Sequence, residues 1–445
     1  MAGSMSRSPA RIIPLTYLGT TVAGTALLLL PASTAPGEHT DLISAAFHAV
    51  SALCITGLST VDTGTHWTMF GQGVLMLLIQ LGGLGIVTLA TMLALVVTGK
   101  VGLSGTLVAS NELHVEKIGD VWRLPRRIAI AMLSTEAVLA LLLTLRFQHY
   151  FHDWPKAVWY GSFHAVSAFN NAGFALFSDS LSGFITDPWL TMPICAAIVL
   201  GGLGFPVFFE LTRRGRLRRP GHWSIHTRMT VWGTVTLLTV GIALFALFEW
   251  NNPATLGPLP ASGKLLGALG GGVFPRTAGF NSIDYAAASE QTIALNYLLM
   301  FIGGGSAGTA GGIKVGTFVI LFAAIRAEIV GEPQTVMAHR GIPFETIRQA
   351  LTVVLLGFAA VSVAAALVLF DTRFTLSEVL FECISAFGTV GLSLGITADL
   401  PAESLVILMT LMFLGRVGTI SVAAALSLNQ RHRRYRLPEE RPIVG

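Results

Sequence analysis

Charged residues are scarce in this sequence: Asp, Glu, Lys and Arg make up 12% of its 445 residues, about half the roughly 25% of an average soluble domain. With 53% hydrophobic residues and a mean hydropathy of +0.68, a water-soluble fold is not expected. Cysteine is scarcer still. Cys54, Cys195 and Cys383 are an odd number, far apart and each within an apolar stretch, so neither a disulfide framework nor a thiolate metal site is indicated. There is no H-E-x-x-H string and no pair of aspartates within an apolar run, which argues against an intramembrane enzyme and leaves no catalytic residue to name. No strand leads into a G-x-G-x-x-G turn and helix, so no cofactor or nucleotide is expected on this chain.

What the sequence has in abundance is apolar length. Runs of about 20 residues, enough for a helix to cross the hydrocarbon core, extend from Ile12 to Leu30, Gly73 to Val97, Ile128 to Leu145, Leu190 to Leu211, Thr230 to Phe248, Ile293 to Ala324, Ala350 to Phe370 and Leu405 to Leu426. A cleavable signal peptide over the first run is disfavoured, because the later runs require membrane insertion in any case. Of the 28 Lys and Arg, two precede the first run, five lie between Lys100 and Arg127, six between Arg213 and Arg228, three between Arg326 and Arg348, and five follow Ser427. If the spans alternate, all of these fall on one side. The positive-inside rule makes that side cytoplasmic, with both termini there. The basic run Arg213 to Arg219 is read as a topology signal touching anionic membrane lipid, not as a nucleic-acid site.

A repeat runs through the other loops. Phe47-His48-Ala49-Val50-Ser51-Ala52-Leu53-Cys54-Ile55-Thr56-Gly57-Leu58 returns as Phe163-His164-Ala165-Val166-Ser167-Ala168-Phe169-Asn170-Asn171-Ala172-Gly173-Phe174. Looser copies are Gly272-Val273-Phe274-Pro275-Arg276-Thr277-Ala278-Gly279-Phe280 and Ser385-Ala386-Phe387-Gly388-Thr389-Val390-Gly391-Leu392. A glycine-rich string follows each copy: Gln80 to Gly85, Leu200 to Phe205, Phe301 to Ser306 and Phe413 to Gly418, each expected to open the second span of its unit. The fold class expected is an all-α membrane protein of four helix–pore loop–helix repeats in pseudo-fourfold arrangement, with eight transmembrane helices and four re-entrant pore helices. The units are expected at 1–100, 125–215, 229–326 and 346–428, with a cytoplasmic tail over 429–445.

A segment of about ten apolar residues is too short to cross a bilayer and fits a helix that dips in and returns. Non-helical backbone at that depth is tolerated where protein buries it or where it lines water. Glycine lets the turn aim carbonyls at one point, and a helix C-terminus adds partial negative charge there. Four such loops could replace the hydration shell of a monovalent cation. The residues expected to bind it are Ile55, Thr56 and Gly57; Asn171, Ala172 and Gly173; Thr277, Ala278 and Gly279; and Thr389, Val390 and Gly391. Asp62, Asp179, Asp284 and Asp399 follow the four glycines, either as an outer acidic ring that concentrates cations or as ordinary turn residues. His48 and His164 match in only two units, so satisfied helix histidines are preferred to a metal pair.

At these strings the chain resembles the Trk/Ktr/HKT superfamily of potassium transporters, and most closely the membrane subunit of the bacterial Ktr type, over nearly its whole length. The resemblance implies potassium uptake across the bacterial cytoplasmic membrane, with K+ as transported ion at the filter residues, Na+ as a candidate activator, and Gly57 marking a potassium-selective form. It also implies a homodimer resting on a cytosolic KtrA/TrkA-like regulatory subunit, on which ATP or ADP acts.

The stretch Gly303 to Lys314 cannot be an ordinary helix interior, since each Gly costs about 1 kcal/mol relative to Ala. A phosphate cradle is excluded by the position of the Lys. Helix packing through small residues is one reading. By resemblance, Gly303, Gly304, Gly305, Ser306, Gly308, Thr309, Gly311, Gly312 and Lys314 form an intramembrane gating loop, and Arg416 meets it beneath the filter. Arg416 could oppose permeating cations or pair with a carboxylate such as Glu382; Glu382 and Arg276 could instead pair with each other as scaffold. A secondary cation symporter with a midplane site made by broken helices is the competing function.

Overall fold

The computed structural model describes residues 9–85, 123–213, 217 and 219–418, and the chain there is mostly helical. The first unit holds α1 (Pro9–Leu28), α2 (Leu42–Leu53) and α3 (Met69–Gly83). The second holds α4 (Arg123–Phe151), α5 (Trp154–Phe169), α6 (Pro188–Leu203) and α7 (Phe205–Thr212). The third holds α8 (Ile225–Glu249), α9 (Ala261–Val273), α10 (Glu290–Phe301) and α11 (Val315–Val330), and the fourth α12 (Phe344–Asp371), α13 (Leu376–Gly388) and α14 (Ala402–Phe413). The second half of the expected span Gly73 to Val97, most of the loop that follows it, the end of the last span and the tail over 429–445 lie outside the described residues.

Local chemistry explains where helices begin. Asp41 accepts from the amides of Ile43 and Ser44 at 3.2 and 3.3 Å and starts α2. Asp187 accepts from Trp189 N at 2.9 Å, with Pro188 in the first turn where its missing N–H costs nothing. Thr375 and Glu378 cap α13 reciprocally. The short helices α2, α5, α9 and α13 have 12, 16, 13 and 13 residues. At 1.5 Å per residue none of them reaches the roughly 30 Å of a hydrocarbon core.

Long spans are fewer than the eight expected. Among the described residues, Pro125–Phe151, Ile225–Glu249 and Phe344–Asp371 are single helices long and apolar enough to cross a membrane, and α6 with α7 makes a fourth only as a pair bent by 104°. The expected first span is α1, whose Leu15–Leu28 part counts as a shorter apolar helix, and the glycine strings account for the interrupted second spans. They close the second helix of each unit instead of opening it: α3 stops at Gly83, α6 at Leu203, α10 at Phe301, and α14 passes into a π turn over Leu414–Gly418. At the α6–α7 bend Gly204 has φ +91°, and Pro206 lies in the first turn of α7, where its missing N–H costs nothing.

The units pack in a closed cycle. Besides contacts inside each unit, α3 meets α5, α6 meets α9, α10 meets α13, and α14 returns to α2. The buried apolar clusters straddle these same boundaries. Leu75 and Ile79 pack with Phe163 and Phe174, Ile194 and Ile198 with Val273 and Phe280, Leu299 with Phe381, and Phe47 and Leu53 with Val379 and Leu408. In a bilayer such shape complementarity, not water exclusion, holds helices together.

Candidate functional site

Each short helix ends in the same backbone figure. A residue in the left-handed region is followed two positions later by a glycine of positive φ: Ile55 (+52°) and Gly57 (+94°), Asn171 (+58°) and Gly173 (+72°), Thr277 (+67°) and Gly279 (+69°), Thr389 (+49°) and Gly391 (+95°). Ile55, Asn171, Thr277 and Thr389 are all buried, and a non-glycine residue holds such a conformation only where its surroundings impose it.

The four glycines meet one another. A Cβ placed on Gly57 would lie 3.0 Å from Gly173 Cα; one on Gly173, 2.9 Å from Gly279 Cα; one on Gly279, 3.1 Å from Gly391 Cα; and one on Gly391, 3.0 Å from Gly57 Cα. Carbonyls of the residues just before these glycines, Ala172 O, Ala278 O, Val390 O and Thr56 O, crowd the same positions. The four loops therefore close a ring of backbone with no room for side chains at the glycines. Four helix C-termini and four carbonyls gathered at one ring concentrate partial negative charge there, chemistry suited to a bare monovalent cation.

Serines six residues before the glycines brace three of the loops, a role that sequence reasoning missed. Ser51 Oγ donates to Leu58 O at 2.7 Å and accepts from Gly57 N at 3.1 Å. Ser167 Oγ donates to Phe174 O at 2.7 Å, and Ser385 Oγ accepts from Gly391 N at 3.1 Å. The third unit has Val273 at that position and no such brace. Spacing alone could have revealed the pattern, because serine recurs at a fixed offset in three of four copies. Asn171 links two loops: with its amide nitrogen turned toward Ala168 O and Ile198 O, 3.1 Å from each, its oxygen faces Thr277 Oγ1.

Beside the ring runs the segment 302–314, non-helical and held at both ends of its neck. Gly303 N donates to Ile313 O at 2.8 Å and Val315 N to Gly304 O at 3.0 Å. Its tip threads the break in the second unit, where Gly305 N donates to Gly202 O at 2.7 Å and Phe205 N to Ala307 O at 3.2 Å. Its return limb lies against the fourth loop: a Cβ on Gly311 would sit 2.9 Å from Thr389 Cγ2, and one on Gly312 3.2 Å from Gly388 Cα. Three cations hold it. Arg416 donates to Thr309 O, Lys314 Nζ to Ala310 O at 2.5 Å, and Arg276 Nη2 to Gly303 O at 3.1 Å. Gly304 to Gly308 has the G-x-S-x-G spacing of a nucleophile elbow, yet Ser306 stands in a loop between two helices and not on a strand-to-helix turn.

The carboxylate pairings considered from the sequence are not formed. Glu382 accepts from Ser393 Oγ and, at 2.9 Å, from Thr397 Oγ1, so it pairs with neither Arg276 nor Arg416 and instead ties down the chain after Gly391. Arg416, 5% exposed, has backbone carbonyls for partners, Thr309 O and, at 2.8 Å, Gly82 O. Carbonyl oxygens satisfy its donors while leaving its charge unneutralised. Of the four acidic residues Asp62, Asp179, Asp284 and Asp399, Asp62 accepts from Gly64 N at 2.7 Å and Asp284 from Ala286 N at 3.0 Å, both turn-capping roles, and only Asp62 is partly buried. His48 and His164 place Nδ1 2.8 Å from Ser44 O and Tyr160 O, and no cluster of potential metal ligands occurs among the described residues.

A further buried acid escaped sequence reasoning. Glu136 in α4 accepts from Gln80 Nε2 and Asn170 Nδ2, both at 2.8 Å, and so joins α3, α4 and the end of α5 directly behind Asn171. A single carboxyl within an apolar helix carries no repeat signal to mark it.

Comparison with known proteins agrees with this architecture. The family model described as TrkH, cation transport protein, matches residues 16–433. The chain is 36% identical over 446 residues to the Ktr system potassium uptake protein B of Bacillus subtilis, covering 98% of this chain and 97% of that protein. It is 36% identical to the Ktr system potassium uptake protein B of Vibrio alginolyticus, covering 98% and 94%, and 35% identical to the potassium/sodium uptake protein NtpJ of Enterococcus hirae, covering 98% and 97%. The solved structure of the potassium transporter TrkH from Vibrio parahaemolyticus superposes with a TM-score of 0.71 over 97% of this chain and 86% of that one, at 17% identity, which establishes a common fold. With the family model spanning nearly its whole length and such relatives aligned almost end to end, the chain belongs to the TrkH family of cation transport proteins, a transport family and not an enzyme family.

Proposed function

We propose that this chain takes up potassium across the cytoplasmic membrane of a bacterium, through a pore whose selectivity filter is the ring at Gly57, Gly173, Gly279 and Gly391. The observation that carries the reading is the closure of that ring, in which each glycine abuts the next and four carbonyls crowd the same level. Three close relatives are named for potassium or potassium/sodium uptake. Eight membrane crossings and four re-entrant helices, with both termini in the cytoplasm, follow on this reading, and the broken second helices count as crossings.

The gate is the segment 302–314 together with Arg416, a loop and a buried cation set against the fourth filter loop. Opening requires the bonds from Arg416 and Arg276, and that from Gly305 N to Gly202 O, to yield. On this reading a separate cytosolic nucleotide-binding subunit drives opening, acting on a homodimer, and sodium is a candidate activator. The breaks at Gly204 and at 302–314 would also suit a symporter with a midplane site. Potassium flux into a potassium-uptake-deficient strain, with and without a regulatory subunit, tests the main reading: no rescue in either condition overturns it. Proteoliposome flux that stops when all other ion gradients are removed would favour the symporter.

A further inference from the structure

At the end of the bundle that carries the arginine-rich loops, α8 and α11 run antiparallel and, with Glu332 and residues 336–338, line an open cavity of about 520 Å³. Gly233 lets them approach, since a Cβ there would lie 2.5 Å from Val315 Cγ1 and 3.0 Å from Val319 Cγ2. The two helices present the same pair of side chains in mirrored order. On α8, which runs away from this end, Arg228 comes first and Trp232 one turn deeper; on α11, which runs toward it, Phe322 is deeper and Arg326 comes one turn later. One turn is about 5.4 Å. Both arginines are thus at the shallow level of the cavity and both aromatics at the deep level.

None of these groups is fully engaged by the described protein. Trp232 is 58% and Phe322 63% exposed, Arg326 is exposed, and Arg228 gives Nη2 to Gly221 O while its buried Nε has no partner among the described residues. Glu332 is the single acid in the lining, against two arginines. A ligand that fits must carry an anionic group at the arginine level and an apolar chain beneath it.

We propose that this cavity is a binding site for an anionic phospholipid of the adjacent leaflet, its phosphate on Arg228 and Arg326 and an acyl chain along Trp232, Phe322 and Val319. Charge complementarity selects an anionic head, and the exposed aromatics one turn deeper select a lipid over a soluble anion. Because α11 continues directly from the segment 302–314, a lipid seated here contacts the helix that carries that segment.

The test uses the purified full chain in mild detergent, with native mass spectrometry read after adding phosphatidylglycerol or phosphatidylcholine of identical acyl chains. Phosphatidylglycerol should bind about 30-fold more tightly, an advantage of the size that two arginines near a membrane surface provide. That advantage should vanish in R228Q/R326Q and survive in R228K/R326K. Equal binding of the two lipids, or displacement of phosphatidylglycerol by millimolar inorganic phosphate, overturns the proposal. So does loss of binding to a cytosolic regulatory subunit in R228Q/R326Q with lipid binding unchanged, which would make the cavity a protein-docking surface. On the unaltered protein, phosphatidylglycerol with a photoreactive acyl chain should label the peptides holding Trp232 and Phe322; labelling confined to other helices also overturns it.

Discussion

Arg416 Nη2 donates to Gly82 O at 2.8 Å while its Nη1 donates to Thr309 O, so one buried guanidinium ties the end of α3 to the segment 302–314. Hydrogen bonds to a charged group contribute about 1.5–3 kcal/mol each. If the Thr309 bond exists only in the closed state, Arg416→Gln should shift the closed-to-open ratio by about tenfold or more. Potassium flux in proteoliposomes should rise accordingly, with Arg416→Lys intermediate. Unchanged flux from a monodisperse Arg416→Gln protein would remove this residue from the gate.

The neck of the same segment makes a second prediction unusually direct. Gly303 N and Ile313 O are already hydrogen-bonded at 2.8 Å, so deleting Gly304 to Gly312 joins two strands that are already side by side. Flux should increase in the deleted protein, with the ion preference kept, because the ring glycines are untouched. If flux stays the same, the segment is packing and not a gate.

At the ring itself, Gly57→Ser places a Cβ 2.4 Å from Ala172 O and 3.0 Å from Gly173 Cα. A serine at φ +94° also bears left-handed strain of about 1–3 kcal/mol. We expect the preference for potassium over sodium to fall by about tenfold, measured by competitive cation binding on purified protein. Selectivity that survives this substitution would sink the filter assignment.

The serine braces offer a graded test. Ser51→Ala and Ser385→Ala each remove a bond to a ring glycine amide, worth about 0.5–1.5 kcal/mol. Potassium binding should weaken by about two- to tenfold in each. Val273→Ser should leave it nearly unchanged, because the third loop is held differently: Gly279 N donates to Phe274 O at 3.2 Å. Calorimetry on the three variants would separate a brace from a bystander.

The four loops were legible from the sequence because four glycines recur with a common local string, and repetition raises weak signals together. The helix breaks were legible only at 303–312, where glycine density is extreme. At Gly204 a single glycine before Phe205 and Pro206 bends the helix by 104°, yet the run from Leu190 to Leu211 holds no charge before Glu210, so hydropathy reads it as one span. The partners of Arg416 and Arg276 were beyond sequence reasoning for a different reason. Both donate to main-chain carbonyls, and every residue has one, so nothing in a side-chain pattern distinguishes Thr309 or Gly303 as an acceptor. Charge complementarity suggested Glu382, which hydroxyls satisfy instead.

The closing contact of the ring joins Gly391 to Gly57, residues as distant in the chain as Arg416 and Gly82, a separation of 334 positions. A ribosome that has released the first three units has therefore produced three quarters of a circle with two unpaired ends. If the ring is the filter, its finished geometry exists only once the last quarter is inserted. Truncation before the fourth unit leaves Gly57 and Gly279 each without the neighbour that Gly391 supplies in the closed ring.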